Sequence, residues 1–284
     1  AFAGLARRLR GPGLTENRRQ AEGWERTALG QLRAGESDKA VDAYLGRGRV
    51  HEADSDDAAR ERLVADWWRA RQAGEDAVMV APRLREVDDL NRRARNCVNE
   101  ARVLRSTDVV LGGRAFTVGE EVLALRNDYD IGILNGLRGR IELLDRLGRR
   151  LLLRGEDRRL VEVPFAYAEA GHLTHGYATT IHKAQGATVD RAFVLADDTM
   201  SREQIYTALS RGVRRTDVYL AAGDERADVR HAPEHVNPAP DRLRHSARRS
   251  SAQHMAMDQQ PNDRHVPVEV LKAERDRLRV LLSD

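Results

Sequence analysis

Lysine is almost absent from this chain. Lys39, Lys183 and Lys272 are the only lysines in 284 residues, so 45 of the 48 basic residues are arginine. The bias reads as codon usage more than thermal adaptation, because stable surfaces favour lysine as well. It has one chemical consequence. A phosphate-cradling P-loop ends in Gly-Lys followed by Ser or Thr, and no glycine here precedes a lysine, so this sequence holds no P-loop. Cys97 is the single cysteine, which excludes an intramolecular disulfide, makes a thiolate zinc site a poor fit and suggests a small buried residue on a helix. No apolar run is long enough for a membrane span or a signal peptide, so the chain reads as cytosolic, without a membrane partner. Charged residues make up 33%, yet the formal net charge is only +3, so any basic surface has to be local. Apolar residues reach 41%, a little low for a chain that is compact throughout, and part of it is expected to be loose. The first residue is Ala1 and not Met, which suggests a start inside a longer or processed product.

What is present is organised in blocks. Trp24, Ala28, Leu32, Ala40, Val41 and Tyr44 follow helical spacing, with Gly35 as a break and Ser37 as an N-cap, predicting two helices between Leu14 and Tyr44. Another helix is expected from Ser55 to Ala73, stopped by Gly74. Val78–Val80 reads as a buried strand, and Pro82 turns the chain into a helix carrying Val87, Leu90, Ala94 and Val98. Strand, turn and helix in that order predict an α/β layer.

Residues 108–170 change character. Short apolar runs alternate with Gly112-Gly113, Asn127-Asp128, Asn135-Gly136, Gly139 and Gly148, the pattern of a small all-β barrel inserted into an α/β domain formed by 1–107 and 171–223. The α/β pattern then resumes, with strands into Thr180, at Ala192–Leu195 and at Asp217–Leu220, and a helix over Ser201–Ser210. Residues 224–284 read as a partly disordered tail with a short terminal helix around Val270–Leu282.

Two stretches carry the chemistry: Ala178-Thr179-Thr180-Ile181-His182-Lys183-Ala184-Gln185-Gly186, and Tyr206-Thr207-Ala208-Leu209-Ser210-Arg211. With Leu14–Gln20 followed by Trp24-Glu25-Arg26, with Ala81-Pro82-Arg83 and Leu90-Asn91, and with the Arg126–Gly139 segment, they occur in the order found in RecD-like superfamily-one helicases. The chain resembles the second RecA-like domain of that family, as found in conjugative relaxases, over roughly Leu14–Leu220. The resemblance implies a RecA-like parallel-sheet domain interrupted by a small Src-homology-type barrel. It also implies that ATP and Mg²⁺ are held mainly by an N-terminal RecA-like ATPase domain outside this chain, that single-stranded DNA is a partner, and that relaxase or other conjugation proteins are further ones.

By the same resemblance Arg211 is the arginine finger and Arg19 a second phosphate sensor, with Gln20 and Gly186 beside the nucleotide. A permanently charged planar guanidinium suits that task, and a finger in related hydrolases is worth about three to five powers of ten in rate. Read alone, Arg211 fits a cap on a helix C-terminus equally well. Thr180, His182, Lys183 and Gln185 offer polar groups suited to a DNA backbone, although a threonine at a strand end followed by a histidine is most often structural. Arg83 and Asn135 are further DNA-contact candidates, against a solvated helix-end arginine and a turn asparagine; Arg126, Asn127 and Tyr129 could line the same path. Where many relatives carry a ribose-holding glutamate, this chain has Ala187-Thr188-Val189-Asp190, which puts that contact in doubt. His172 and His175 have ligand-like spacing, but nothing supplies further ligands, and no metal site is expected. The expected function is the C-terminal half of a 5′–3′ ATP-dependent DNA helicase, inactive by itself. The alternative is a non-enzymatic nucleic-acid-binding remnant.

Overall fold

The computed structural model describes residues 19–101, 108–155, 158–221 and 238–251. The Leu14–Arg18 part of the first motif and the expected terminal helix lie outside them.

Five parallel strands form the central sheet: β1 (Val50–Ala53), β2 (Ala77–Ala81), β10 (Ala178–Thr180), β11 (Val189–Leu195) and β12 (Gly212–Ala221), in the order β1-β12-β11-β2-β10. A parallel sheet must be covered on both faces, and the period-2 alternation of a strand divides the side chains between them. Val78, Val80, Ala192, Val194, Val218 and Leu220 enter one core. Met79, Ala81, Phe193, Leu195 and Tyr219 enter the other.

The first face is covered by α1 (Gly23–Ala34), α2 (Ser37–Leu45), α6 (Arg202–Leu209) and α7 (Ala239–Arg248), the second by α3 (Asp56–Gln72) and α4 (Leu84–Glu100). Their ends follow local chemistry. Ser55 caps α3 by accepting the Ala58 N–H at 3.1 Å, with Asp56 and Asp57 in the first turn and Arg69 and Arg71 in the last, charges that complement the helix dipole. Gly35, at φ +86°, closes α1 in a left-handed turn. Ser37 is not the N-cap its position suggested: it is the first residue of α2, and its hydroxyl donates to the Ala247 carbonyl at 2.5 Å. That bond ties α2 to α7, a helix lying inside the segment expected to be linker. Its burial of Ala239, Leu243 and Ala247 was hidden by the surrounding proline and arginine.

Between α4 and β10 the chain leaves the parallel sheet. β3 (Val109–Leu111) and β4 (Arg114–Phe116) form a hairpin. β5 (Glu121–Ala124), β6 (Arg138–Asp145), β7 (Arg150–Gly155), β8 (Leu160–Pro164) and β9 (Leu173–His175) form an antiparallel sheet in the order β8-β7-β6-β5-β9. Helix α5 (Phe165–Glu169) joins β8 to β9, and a separate apolar core unites hairpin, sheet and α5 around Phe116, Ile133, Ile141 and Leu151. The pairings among the described residues form an open sheet and a hairpin instead of the closed ladder of a barrel. Because β9 pairs with β5, the antiparallel sheet continues past residue 170 to His175, and Tyr177 and Ala178 follow directly into the other core.

Candidate functional site

The strand β10 ends at Thr180, and the chain turns back on itself through short-range backbone bonds: Ala184 N–H to Thr180 O at 2.9 Å, Gln185 N–H to His182 O at 3.2 Å and Ala187 N–H to Ala184 O at 3.1 Å. Ile181 and Ala184 are buried and anchor the turn, while His182, Lys183 and Gln185 are exposed on it. The Thr180 hydroxyl accepts the Lys183 N–H at 3.3 Å. Gly186 has φ +92° and open space where a Cβ would stand. Its glycine character follows from the left-handed backbone; among the described residues nothing beyond its two chain neighbours lies within 4 Å of where a Cβ would stand.

Ser201 caps α6 in a reciprocal capping box with Gln204, which sets where the helix begins and fixes the frame that leads to Arg211. Arg211 is buried. Its Nε donates to Thr207 O at 2.8 Å, one terminal nitrogen to Ala184 O and Ala187 O, both at 3.1 Å, and the other to the Ser210 hydroxyl at 2.6 Å. Helix capping and motif bridging are therefore one arrangement: a single guanidinium joins the last turn of α6 to the turn after β10.

Two more predicted residues converge there. Arg19 donates to Ser210 O at 3.1 Å. The buried Gln20 amide donates to Ser210 O at 3.2 Å and Gly212 O at 3.1 Å, so it braces the Arg211 backbone from behind. Arg211 has no carboxylate partner among the described residues. Burial first, then the nearby Arg19 charge, pushes its pKa down, opposed by Tyr206. A charge held among neutral carbonyls beside a like charge has unspent attraction for an anion.

The other candidates lie elsewhere. Arg83 spans loops: it pairs with Asp197 at 2.9 Å, donates to the Thr199 hydroxyl at 2.8 Å and lies 3.4 Å from Glu86. Its charge is thus compensated. Asn135 is exposed on the insertion, its N–H held by Asn127 Oδ1 at 2.7 Å, and Asn127 also donates to the Tyr129 hydroxyl at 3.1 Å, leaving that ring 77% exposed. Asp190 accepts the Asp76 N–H at 3.1 Å and lies 3.5 Å from the Arg214 guanidinium. His175 is bonded to Ala115 O at 3.0 Å and His172 lies against Arg126 and Tyr167, so the two histidines serve different contacts. Among the described residues no group of His, Cys, Asp and Glu could hold a metal, and no helix is long and apolar enough to cross a membrane. The acceptors of Arg211 escaped sequence reasoning because backbone carbonyls carry no residue signature.

In this parallel α/β sheet, one arginine just after α6 reaches back to the turn that follows β10. Conjugal transfer proteins named TraA are homologous to most of the chain, and RecD and Pif1 helicases to shorter parts of it, in line with the resemblance to RecD-like superfamily-one helicases. The chain is similar to the conjugal transfer protein TraA of Rhizobium radiobacter, 34% identical over 232 residues, and to that of Agrobacterium fabrum, 34% over 233 residues. Each match covers 78% of this chain and 20% of the relative, so the chain spans about a fifth of the length of the curated relatives it matches. The RecBCD enzyme subunit RecD of Mycobacterium tuberculosis is 32% identical over 115 residues, covering 39% of this chain and 19% of RecD. A crystal structure of Pif1 helicase from Bacteroides in complex with ADP-AlF3 and ssDNA overlaps 70% of this chain and 49% of its own, with TM-score 0.47 and 18% identity. No protein-family model matches the chain.

Proposed function

We propose that this chain is the nucleotide-sensing and DNA-contacting half of an ATP-dependent 5′–3′ DNA translocase that acts in conjugal DNA processing. One observation carries the reading: Arg211, with no carboxylate partner among the described residues, joins the turn after β10 to the end of α6 within reach of Arg19.

The cluster fits a triphosphate by its chemistry. Two guanidiniums side by side suit charge spread over phosphoryl oxygens, and burial strengthens that attraction. ATP, bound mainly by an N-terminal RecA-like domain with Mg²⁺, supplies the phosphoryl group whose hydrolysis drives movement. This chain's residues do the sensing. Arg211 and Arg19 stabilise developing negative charge, and Gln20 holds their backbone. Because Arg211 also grips Ala184 O and Ala187 O, any shift of its guanidinium pulls on the turn that displays His182, Lys183 and Gln185. Those three side chains, with Thr180, hold the DNA backbone without reading bases. The likeness to the TraA proteins supports conjugal DNA as the substrate and a relaxase as a neighbour in the same product.

The test has two arms. The 284-residue chain binds labelled oligothymidylate with a steep salt dependence and shows no DNA-stimulated ATP hydrolysis. In a product extended upstream to include a Gly-Lys-Thr loop, Arg211→Ala and Arg211→Lys both lower kcat by about three to five powers of ten, with oligothymidylate affinity preserved in the lysine variant. Hydrolysis by the chain alone that Arg211→Ala abolishes would overturn the reading, as would an extended product whose kcat ignores both substitutions.

A further inference from the structure

A second charged feature lies away from the Arg211 cluster. Where the antiparallel insertion meets the start of the parallel strands, Arg71, Asp76, Glu121, Arg138, Arg140 and Arg154 surround a cleft of about 370 Å³ whose remaining lining is Gly139 and Gly155. Four guanidiniums face two carboxylates there.

The β register explains the imbalance. Glu121 on β5 pairs with Arg140 on β6, and Arg140 pairs in turn with Arg154 on β7, so the three side chains form one cross-strand row. Arg138, two residues before Arg140, shares its face. Glu121 is the natural partner of Arg140, yet its oxygens are taken by Arg71, a close ion pair, and by Arg138 at 3.6 Å. Arg154 engages Glu142 through Nε alone, at 2.9 Å. Arg140 is left exposed, with no side-chain hydrogen bond or ion pair among the described residues. The buried Tyr177 hydroxyl, also without a hydrogen-bond partner among them, lies within electrostatic reach of Arg71 and Arg140.

We propose that this cleft is a second nucleic-acid site, in which Arg140 and Arg154 hold backbone phosphates of a single strand. The proposal rests on the DNA-translocase reading. Single-strand backbone is favoured over an acidic protein segment because the free donors are planar guanidinium forks, suited to bidentate contact with phosphate oxygens. Arg140 and Arg154 also stand directly opposite one another on neighbouring strands of a rigid sheet, about 4.8 Å apart from strand to strand. The cleft connects to the first contact through β10. Arg138 donates to Gly176 O at 3.2 Å, and Tyr177 and the three residues of β10 then lead to Thr180, a run of about 13 Å.

Fluorescence anisotropy of labelled oligothymidylate across a salt series tests this with the full 284-residue chain. In Arg140→Gln/Arg154→Gln the slope of log affinity against log salt becomes shallower by about 0.7 for each phosphate that is no longer neutralised. Arg150→Gln, a substitution on the same strand β7 outside the cleft, leaves the slope unchanged. The site residues on the exposed turn are separable: His182→Ala/Gln185→Ala weakens binding, and adding the cleft substitutions to it weakens binding further. Unchanged slope and affinity in the cleft variant, with wild-type binding intact, overturn the cleft assignment alone. A wild-type chain that does not bind oligothymidylate overturns both readings. Equal competition by polyglutamate, lost in the cleft variant, assigns the cleft to an acidic protein segment instead.

Discussion

Glu25→Gln should make the protein more stable at pH 8 and leave it no different near pH 4. Glu25 is buried on α1, where one carboxylate oxygen accepts the Tyr44 hydroxyl at 2.9 Å and the other has no hydrogen-bond partner among the described residues. Burial raises its pKa from 4.5 to about 7, against the lowering effects of Tyr44 and Arg49. The folded state thus binds this proton more tightly than the unfolded chain. The sign follows: the contribution is fully present below pH 4.5 and is lost as pH rises through 7. The full loss is about 3 kcal/mol, since each tenfold difference in proton affinity between the two states is worth roughly 1.4 kcal/mol. Glutamine keeps an acceptor for Tyr44 and carries no charge, so it escapes the loss. Urea denaturation of both proteins from pH 4 to 8 measures it as a difference, which cancels groups titrating in both, such as Glu203, held down at about 2. Parallel stability curves, or a variant less stable at pH 8, would refute the reasoning. The residue matters to the site because α1 also carries Arg26, whose guanidinium donates to Gln20 O at 2.6 Å and Ala21 O at 2.9 Å. Loosening α1 therefore loosens the Arg19–Gln20 segment.

Gly186→Ala should cost about 1–2 kcal/mol, because alanine resists φ +92°, and Gly186→Asn should cost less; thermal melts that rank the two equally would remove the backbone argument. Tyr129→Ala should weaken oligothymidylate binding by about 1–3 kcal/mol while Tyr129→Phe retains most of it, if the exposed ring stacks a base; equal binding by all three proteins would leave Tyr129 outside the DNA path.

The α/β layer was legible wherever burial and periodicity coincide. Met79, fully buried in the second core, sits in an unbroken apolar run, and the Ser55 and Ser201 caps announce their helices. α7 was not legible, since a ten-residue helix buries only four of its positions and carries proline, aspartate, histidine and three arginines on the rest. β1 was likewise hidden: Val50-His51-Glu52-Ala53 reads as polar because His51 is consumed by a long-range bond to Asp217 at 3.0 Å. For the site, the motif residues were visible and their partners were not. Arg211 could be read as cap or finger from sequence, and its acceptors, mostly backbone carbonyls, could not be read at all. They come from both segments.

That double attachment bears on how a charge could do mechanical work. A guanidinium satisfied by carboxylates, as Arg83 is by Asp197 and Glu86, gains little from a new anion because it must surrender a paired charge first. Arg211 is held instead by Thr207, Ala184 and Ala187 carbonyls and the Ser210 hydroxyl. Each such bond is a weaker tie than a carboxylate at the same distance. An anion on the far side of the guanidinium would outcompete some of them, and the first released segment would be the turn after β10 or the last turn of α6. Under the proposed function, the contacts that hold Arg211 are therefore the contacts whose exchange would transmit its engagement to His182, Lys183 and Gln185.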